Sequence, residues 1–303
     1  MLGACAVAGL AGGLGSGAQA KELKAIGVTM GSLGNPYFVA LTKGITAGAG
    51  SARVTAVSAD YDLNKQFTQI DNFIAAGVDL IVLNAVDPNA ILPAIKRAQS
   101  AGIVVVAADV SAAGADATVE TDNTMAGRIS CEFLAQSIGG KGNVVIENGP
   151  QVSAVTDRVK GCKEAFAKAP GIKILDSTQD GKGSREGGLS VMQGYLIRYP
   201  DLAAVFTIND PQAIGSELAA KQQHRDSVKI SSVDGAPDIV AALKEKGMIV
   251  ASASQDPYAM GQDAVKVGKA IMDGHPPADK IQLLTPKLIT QDNVGSYVGW
   301  TQH

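Results

Sequence analysis

A chain of 303 residues with 46% hydrophobic content can form one large or two medium domains around a substantial core. Its net charge of -3 comes from interspersed acidic and basic residues, which argues against a nucleic-acid partner because such a partner favours a basic face. After the first 20 residues, no run approaches the ~20 apolar residues that span a bilayer.

The first 20 residues differ from the rest of the chain. They carry no charge, are rich in Ala, Gly and Leu, and end in Ala18-Gln19-Ala20. This pattern predicts a signal peptide over residues 1–20. The basic residues that usually open such a peptide are missing, so a truncated or misassigned start stays open. We expect an exported protein.

Cysteine and histidine usage gives little support to metal binding or catalysis. Cys131 and Cys162 lie in helix-like segments without a CxxC spacing. An oxidising compartment permits a disulfide between them, but their apolar surroundings favour two buried free thiols. The histidines are scattered along the chain. We expect no metal, no cofactor and no enzymatic activity.

After residue 20, short β-branched runs alternate with helical stretches. Strands are predicted at 25–30, 54–58, 80–83, 104–107, 144–147, 172–175, 204–207 and 229–233. Helices are predicted at 39–45, 63–76, 91–101, 125–137, 154–168, 185–198, 212–221 and 239–246. Helices that separate apolar strands indicate βαβ units and parallel sheets covered on both faces. The number of strands predicts an α/β protein with two similar, Rossmann-like lobes, joined by short hinges.

The first predicted strand is followed by Gly34-Asn35-Pro36-Tyr37-Phe38. Asn35 is a suitable helix N-cap, and proline is well tolerated at the first helical position. Ligands of α/β folds bind at the carboxyl ends of strands. Two adjacent aromatics at such an end are notable because only 4% of the chain is aromatic. The alternative is a capped helix with core aromatics, and the stretch alone does not distinguish the two.

Polar residues at strand ends recur in both halves of the chain. They are Asn35, Asp109, Asp122-Asn123, Asn209-Asp210, Asp234 and Gln255-Asp256. Where such a pair precedes a proline, the second residue, Asp210 or Asp256, is predicted to cap the following helix. The first residue, Asn209 or Gln255, is then free to face a cleft. A cap explains one such pair, but it explains the whole series less well.

These residue types suit a neutral, hydroxyl-rich ligand. Carboxylates accept hydroxyl protons, amides donate and accept, and the guanidinium of Arg158 donates in a fixed fork. Tyr37 and Phe38 are expected to cover the apolar C–H face of a sugar. An anionic ligand would call for more Arg and Lys.

The chain resembles the periplasmic sugar-binding proteins of ABC importers, in the ribose-binding branch of the type I fold. The resemblance covers residues 21–289. It rests on the number and order of its motifs, which are Gly34-Asn35-Pro36-Tyr37-Phe38, Thr121-Asp122-Asn123 with Ala126-Gly127, Arg158-Val159-Lys160-Gly161, Phe206-Thr207-Ile208-Asn209-Asp210, Val233-Asp234-Gly235 and Gln255-Asp256-Pro257.

The resemblance implies how the chain is divided. Residues 21–121 plus 257–283 form an N-terminal lobe and residues 122–256 plus 284–303 a C-terminal lobe, with crossings near 121–124, 254–257 and 283–286. The implied ligand-binding residues are Asn35, Tyr37, Phe38 and Asp109 from the first lobe, Asn123, Arg158, Asn209 and Asp234 from the second, and Gln255 at a hinge.

Two positions depart from the family's ribose binder. Val110 stands where that protein has Arg, and Gly183 is the nearest match to its second-lobe aromatic. A roomier, less charged pocket is implied, which argues against ribose and leaves another pentose, a ketose, a hexose or a sugar alcohol open.

The implied function is a soluble, monomeric, periplasmic binding protein that closes on a monosaccharide or polyol and delivers it to the transmembrane subunits of an ABC permease. A sugar sensor or chemoreceptor ligand-binding protein is the alternative. A transcription regulator would need a helix-turn-helix ahead of the first strand, where we expect only the leader. A nicotinamide dehydrogenase would need GxGxxG after that strand, and it is absent there.

Overall fold

The computed structural model describes residues 22–299, so the predicted signal peptide lies outside the described residues. The strands, numbered β1 to β12 in chain order, are Ala25–Met30, Arg53–Ser58, Leu80–Leu83, Val104–Ala108, Ala117–Thr121, Lys141–Glu147, Gly171–Asp176, Leu202–Thr207, Lys229–Asp234, Ile249–Ser254, Ile281–Leu284 and Lys287–Thr290. The helices, numbered α1 to α9, are Pro36–Gly48, Leu63–Ala75, Leu92–Ser100, Asn123–Ser137, Ser153–Ala167, Arg185–Arg198, Asp210–Gln222, Pro237–Glu245 and Pro257–Met272. Within this part of the chain, no helix is long and apolar enough to cross a membrane.

The strands form two separate six-stranded sheets. The first has the order β11-β5-β4-β3-β1-β2 and the second β12-β10-β9-β8-β6-β7. Neighbouring strands are parallel except β10 and β12, which pair antiparallel. This confirms the predicted α/β fold with two lobes.

Strand β3 illustrates how helices cover both faces of a sheet. All four of its residues are buried. Leu80 and Val82 pack with residues of α1 and α9, whereas Ile81 and Leu83 pack with residues of α2 and α3. Successive side chains of a strand point to opposite faces, so one short apolar run contributes to two cores. The second sheet is covered by α4 and α5 on one face and by α6 to α8 on the other.

The chain passes between the sheets in three short segments. These lie between Thr121 of β5 and Asn123 of α4, between Ser254 of β10 and Pro257 of α9, and between Leu284 of β11 and Lys287 of β12. Such short connections leave little freedom except rotation about the segments themselves, which is the geometry of a hinge. The exact lobe boundaries remain a prediction.

Helices α4 and α5 approach each other through glycine. A Cβ added to Gly127 would lie 2.0 Å from the carbonyl oxygen of Arg158, and one added to Gly161 would lie 1.9 Å from that of Thr124. Real Cβ atoms do not come this close to a backbone atom. The two glycines therefore let the helix backbones touch, and this close packing sets where Arg158 lies relative to the start of α4.

The close approach of α4 and α5 also brings two cysteines within bonding distance. Cys131 of α4 and Cys162 of α5 form a disulfide with a Cα–Cα distance of 5.1 Å, so the prediction of two free thiols is wrong. Both cysteines are fully buried among apolar neighbours, as expected. Their pairing depends on which helices pack together, and the local sequence pattern does not contain that information.

Replacing Gly161 with alanine is expected to lower the free energy of unfolding by about 2 kcal/mol, because the new methyl group forces α4 and α5 apart. Urea denaturation monitored by circular dichroism measures the loss. Gly194 of α6 is the matched control, since nothing lies within 4 Å of a Cβ placed there. Gly194→Ala should stabilise the helix by up to about 1 kcal/mol. Equal effects of the two substitutions would contradict the packing argument.

Candidate ligand-binding site

Most of the predicted site residues lie where the carboxyl ends of the strands of both sheets meet. Hydrogen bonds join six of them into one continuous set, which we call the polar network. Its members are Tyr37 and Asp109 beside the first sheet, Asn123, Arg158 and Asp234 beside the second, and Gln255 between β10 and α9.

On the first-sheet side, both carboxylate oxygens of Asp109 are held. The Tyr37 hydroxyl donates to Oδ1 at 2.8 Å, and Asn84 Nδ2 donates to Oδ2 at 3.0 Å. Asn84 was not predicted. It directly follows β3, so the strand-end pattern that identified the other residues would have found it. The backbone of Asp109 has a φ of +74°, a conformation that points to a constrained position.

Gln255 connects the two sides of the network. Its Oε1 accepts from the Thr121 hydroxyl at 2.8 Å and lies 3.3 Å from the Tyr37 hydroxyl oxygen. Its Nε2 donates to Asp234 Oδ1 at 2.7 Å. Thr121 and Gln255 both lie at places where the chain passes between the sheets. A rotation of one lobe against the other therefore alters these hydrogen bonds directly.

Arg158 has a fixed orientation on the second-sheet side and is only 5% exposed. Its Nε donates to Asn123 Oδ1 at 2.8 Å, and its Nη1 donates to the Ile208 carbonyl at 2.9 Å. The same Nη1 lies 3.4 Å from Asp234 Oδ1. The guanidinium is thus oriented before any ligand arrives, which reduces the entropy cost of a new hydrogen bond.

The single positive charge of Arg158 offsets part of the effect of burial on the two carboxyl groups of the network. Burial raises the pKa of Asp109, whereas the Arg158 charge and the hydrogen bonds from Tyr37 and Asn84 lower it. Burial also raises the pKa of Asp234, and Arg158 again opposes the shift. Burial and the neighbouring Asp109 raise the pKa of Tyr37 well above its usual value, so its hydroxyl stays a neutral donor. This environment suits polar, uncharged groups.

At the start of helix α7, the roles of Asn209 and Asp210 differ from the prediction. Asn209 is the N-cap, because its Oδ1 accepts from the Gln212 backbone N–H at 3.1 Å. Asp210 is buried instead, and it accepts hydrogen bonds from the Ser232 and Ser252 hydroxyls. The prediction that Asp210 caps the helix is therefore wrong. Hydroxyls on β9 and β10 decide the outcome, and they are distant in sequence.

The Asn209 side chain has a second backbone partner, since its Nδ2 donates to the Gly183 carbonyl at 2.9 Å. This contact holds the loop before α6, so the Asn209 side chain is not free. At α9 the prediction is confirmed. Asp256 caps the helix by accepting from the Ala259 N–H at 2.9 Å, which leaves Gln255 for the network.

The sequence left open whether the stretch around Tyr37 is a capped helix with core aromatics or part of a ligand site. The structure has features of both. Asn35 caps α1 by accepting from the Tyr37 N–H at 2.9 Å. Phe38 packs in the core between the first sheet, α1 and α9, and its ring meets that of Tyr37 edge to face at 5.5 Å. The Tyr37 ring is also buried, and its hydroxyl carries the contact with the network. Coverage of a ligand by these rings stays a prediction.

Val110, next to Asp109, takes part in a contact between the lobes. It is buried and packs in one apolar cluster with Ala112 and Ala154, the last of these from α5. Beside them, the Ser111 N–H donates to Ser153 Oγ at 3.1 Å. An apolar contact thus occupies the position at which the sequence departs from the family's ribose binder.

Glu147 carries a buried carboxyl group, which the sequence pattern did not predict. Because of this burial, we expect the stability of the protein to depend on pH. Burial raises the pKa of Glu147 from 4.5 to about 8. The folded state then binds a proton that the unfolded chain has released, so stability falls as pH rises from about 4.5 to about 8. Glu147→Gln should remove at least about 1 kcal/mol of this fall. Urea titrations at pH 5.5 and 8 measure it, and identical pH dependence in both proteins would contradict the assignment.

The fold and the site together define a class: two-lobed α/β proteins that hold a small polar molecule between their lobes. The model of the periplasmic binding protein domain family matches residues 26–276. This match covers most of the chain, and the chain belongs to this family. Members of the family are binding proteins rather than enzymes.

Curated relatives cover most of the same length. The ribose import binding protein of Bacillus subtilis is 32% identical over 255 residues, which is 82% of each chain. The xylitol-binding protein of Mycolicibacterium smegmatis is 29% identical over 97% of this chain and 86% of its own. A periplasmic solute-binding protein of an ABC transporter from Actinobacillus succinogenes, solved with bound D-allose, has a TM-score of 0.85 and 27% identity, and the match covers 90% of this chain and 100% of that one.

Proposed function

We propose that this protein closes its lobes on a neutral monosaccharide or sugar alcohol and delivers it to an ABC permease. The observation that supports this most is the polar network. It combines two carboxylates, one guanidinium, amides and a phenol at the junction of the two sheets. Sugar hydroxyls donate and accept at once, so they can pair with every one of these groups. Relatives named for ribose and xylitol agree with this ligand class.

The network also suggests roles for the individual residues. Asp109 and Asp234 are the proposed acceptors of hydroxyl protons, and Arg158 is the proposed donor to a ring or hydroxyl oxygen. The remaining proposed ligand contacts are Asn35, Tyr37, Phe38, Asn123, Asn209 and Gln255. The contacts that already orient Asp109 and Arg158 mean that little rearrangement is required on binding.

Closure follows from the way the network is divided between the lobes. A ligand that touches Asp109 and Arg158 together binds the closed state more tightly than the open state. It therefore shifts the population toward closure by that difference in affinity. Residues 21–121 plus 257–283 would move against 122–256 plus 284–303, and the segments around Thr121 and Gln255 would act as hinges.

The proposed setting is the periplasm, with a monomeric protein that is exported by its signal peptide and recognised by the transmembrane subunits of a permease. Relatives are named as import proteins, which favours import over the alternative of a sensor. Val110 and Gly183 argue for a ligand other than ribose. Pentoses, hexoses, ketoses and polyols all remain candidates.

A thermal-shift screen of the exported form tests the proposal. Xylitol, arabitol, inositol, ribose, xylose, allose and tagatose should be compared with amino acids as the control class. A ligand at a hundred times its Kd stabilises the folded state by about 2.7 kcal/mol, which raises Tm by roughly 5 °C. At least one sugar or polyol should give such a shift. A shift with an amino acid, and none with any sugar or polyol, would contradict the ligand class.

A further inference from the structure

Tyr61 lies in an unusual turn after β2, at the same end of the first sheet as the polar network. Asp60 and Tyr61 have φ values of +52° and +56°, a left-handed conformation that bulky side chains rarely adopt. The turn is fixed by several contacts. The Asp60 carboxylate is bound by the Ser58 hydroxyl and the Lys65 ammonium, and the Tyr61 N–H donates to the Gly31 carbonyl at 3.0 Å.

The Tyr61 ring lies against the end of β1, close to residues of the site. A Cβ added to Gly31 would lie 2.9 Å from Tyr61 Cε1 and 3.0 Å from Asn84 Oδ1. The Asn35 side chain lies near the Tyr61 hydroxyl and lowers its pKa. Partial burial, together with the nearby charge of Asp109, outweighs this effect and raises the pKa of Tyr61. The ring thus lies at the edge of the polar network, beside the Asn84 amide that donates to Asp109.

Exposure separates Tyr61 from the two aromatics that the sequence singled out. Tyr61 is 62% exposed, whereas Tyr37 is 8% and Phe38 is 7% exposed. A strained backbone costs of order 1–3 kcal/mol per residue and persists where the surroundings impose it, often at ligand-binding sites. Here that conformation holds an aromatic face open to solvent beside polar side chains, and core packing does not account for it.

We infer that Tyr61 contacts the ligand and helps to determine specificity. Its ring covers the apolar C–H face of the sugar or polyol while Asn35, Asn84 and Asp109 pair with the hydroxyls beside it. This inference rests on the proposed function. It assigns to an exposed ring of the first lobe the covering role that the sequence suggested for Tyr37 and Phe38.

The test uses calorimetry with the sugar or polyol that gives the largest melting shift in the wild type. Tyr61→Ala should weaken binding about tenfold, because the aromatic surface is lost. Tyr61→Phe keeps the ring and should bind within about threefold of the wild type. Ile197→Ala, near the far end of α6, is the control for the loss of a large exposed side chain, since Ile197 is 76% exposed. It should leave the affinity unchanged.

The order of affinities for different ligands gives a second readout. A merely structural role of Tyr61 would not change that order. Tyr61→Ala should lose more affinity for ligands with a continuous C–H face than for ligands without one. If the alanine variant folds poorly, Tyr61→Gly replaces it, because glycine adopts φ near +56° without strain. Wild-type affinity in the ring-deletion variant, or equal losses in Tyr61→Ala and Tyr61→Phe, would overturn the inference. A wild type that binds no sugar or polyol would overturn the proposed function instead.

Discussion

Replacing Arg158 with methionine is expected to weaken sugar or polyol binding by about 1.5–3 kcal/mol, roughly 10- to 150-fold. The substitution removes a charged donor that is already oriented by Asn123 and the Ile208 carbonyl. It also leaves Asp109 and Asp234 buried without the guanidinium that opposes the rise in their pKa. Calorimetry with the best ligand of the thermal-shift screen measures the change.

Two controls separate the loss of this guanidinium from a general loss of charge. Lys160→Met removes one positive charge from the same helix, but Lys160 is exposed, so the affinity should stay within twofold. Arg158→Lys keeps the charge without the planar fork and should recover only part of the affinity. Binding by Arg158→Met within threefold of the wild type would exclude Arg158 from the site.

The same substitution should lower the free energy of unfolding by about 3 kcal/mol, because breaking a buried ion pair leaves a charge without its partner. Adding Asp234→Asn to Arg158→Met should restore part of that stability, since a buried carboxylate that has lost the guanidinium is then removed. The double variant should still bind poorly. If the double variant is no more stable than Arg158→Met alone, the loss of the ion pair with Asp234 is not the source of the destabilisation.

Most of what the sequence predicted about the fold and the site came from one pattern, apolar strands followed by polar residues. The run 80–83 is predicted as a strand and observed as β3 with the same bounds. Strands β5 and β10 were not predicted, although they are buried. They carry polar residues such as Glu120 and Ser252, which the tertiary environment accommodates. In such strands side-chain partners, rather than local hydrophobicity, determine the structure.

Prediction of individual site residues was limited in the same way, because partners that are distant in sequence decide their roles. Polarity at strand ends located Asp109, Asp234 and Gln255, because parallel strands bring their carboxyl ends to one edge. It did not distinguish the cap from the buried acid in the Asn209-Asp210 pair, because that depends on hydroxyls from other strands. It also gave no reason to select Tyr61, which in sequence is one polar-flanked residue of a turn.

Removing the disulfide with Cys131→Ala and Cys162→Ala together is expected to cost about 3.7 kcal/mol of unfolding free energy. That value follows from the chain-entropy relation for a cross-link between residues 31 positions apart. The bond connects α4 and α5 next to Gly127 and Gly161, where the helix backbones touch. The cross-link and the close packing therefore stabilise the same helix pair, and the loss is expected to appear mainly in global unfolding.

Urea unfolding of the double variant, and of the wild type with and without a reducing agent, measures the effect. Reduction should destabilise the wild type by a similar amount and leave the double variant unchanged. Ligand affinity should change less than twofold, since Cys131 lies about 12 Å along α4 from Asn123 at 1.5 Å per residue. A loss below about 1 kcal/mol in the double variant would contradict the entropy estimate. Disulfides form and persist mainly in oxidising compartments, so the Cys131–Cys162 bond agrees with the proposed export of the protein.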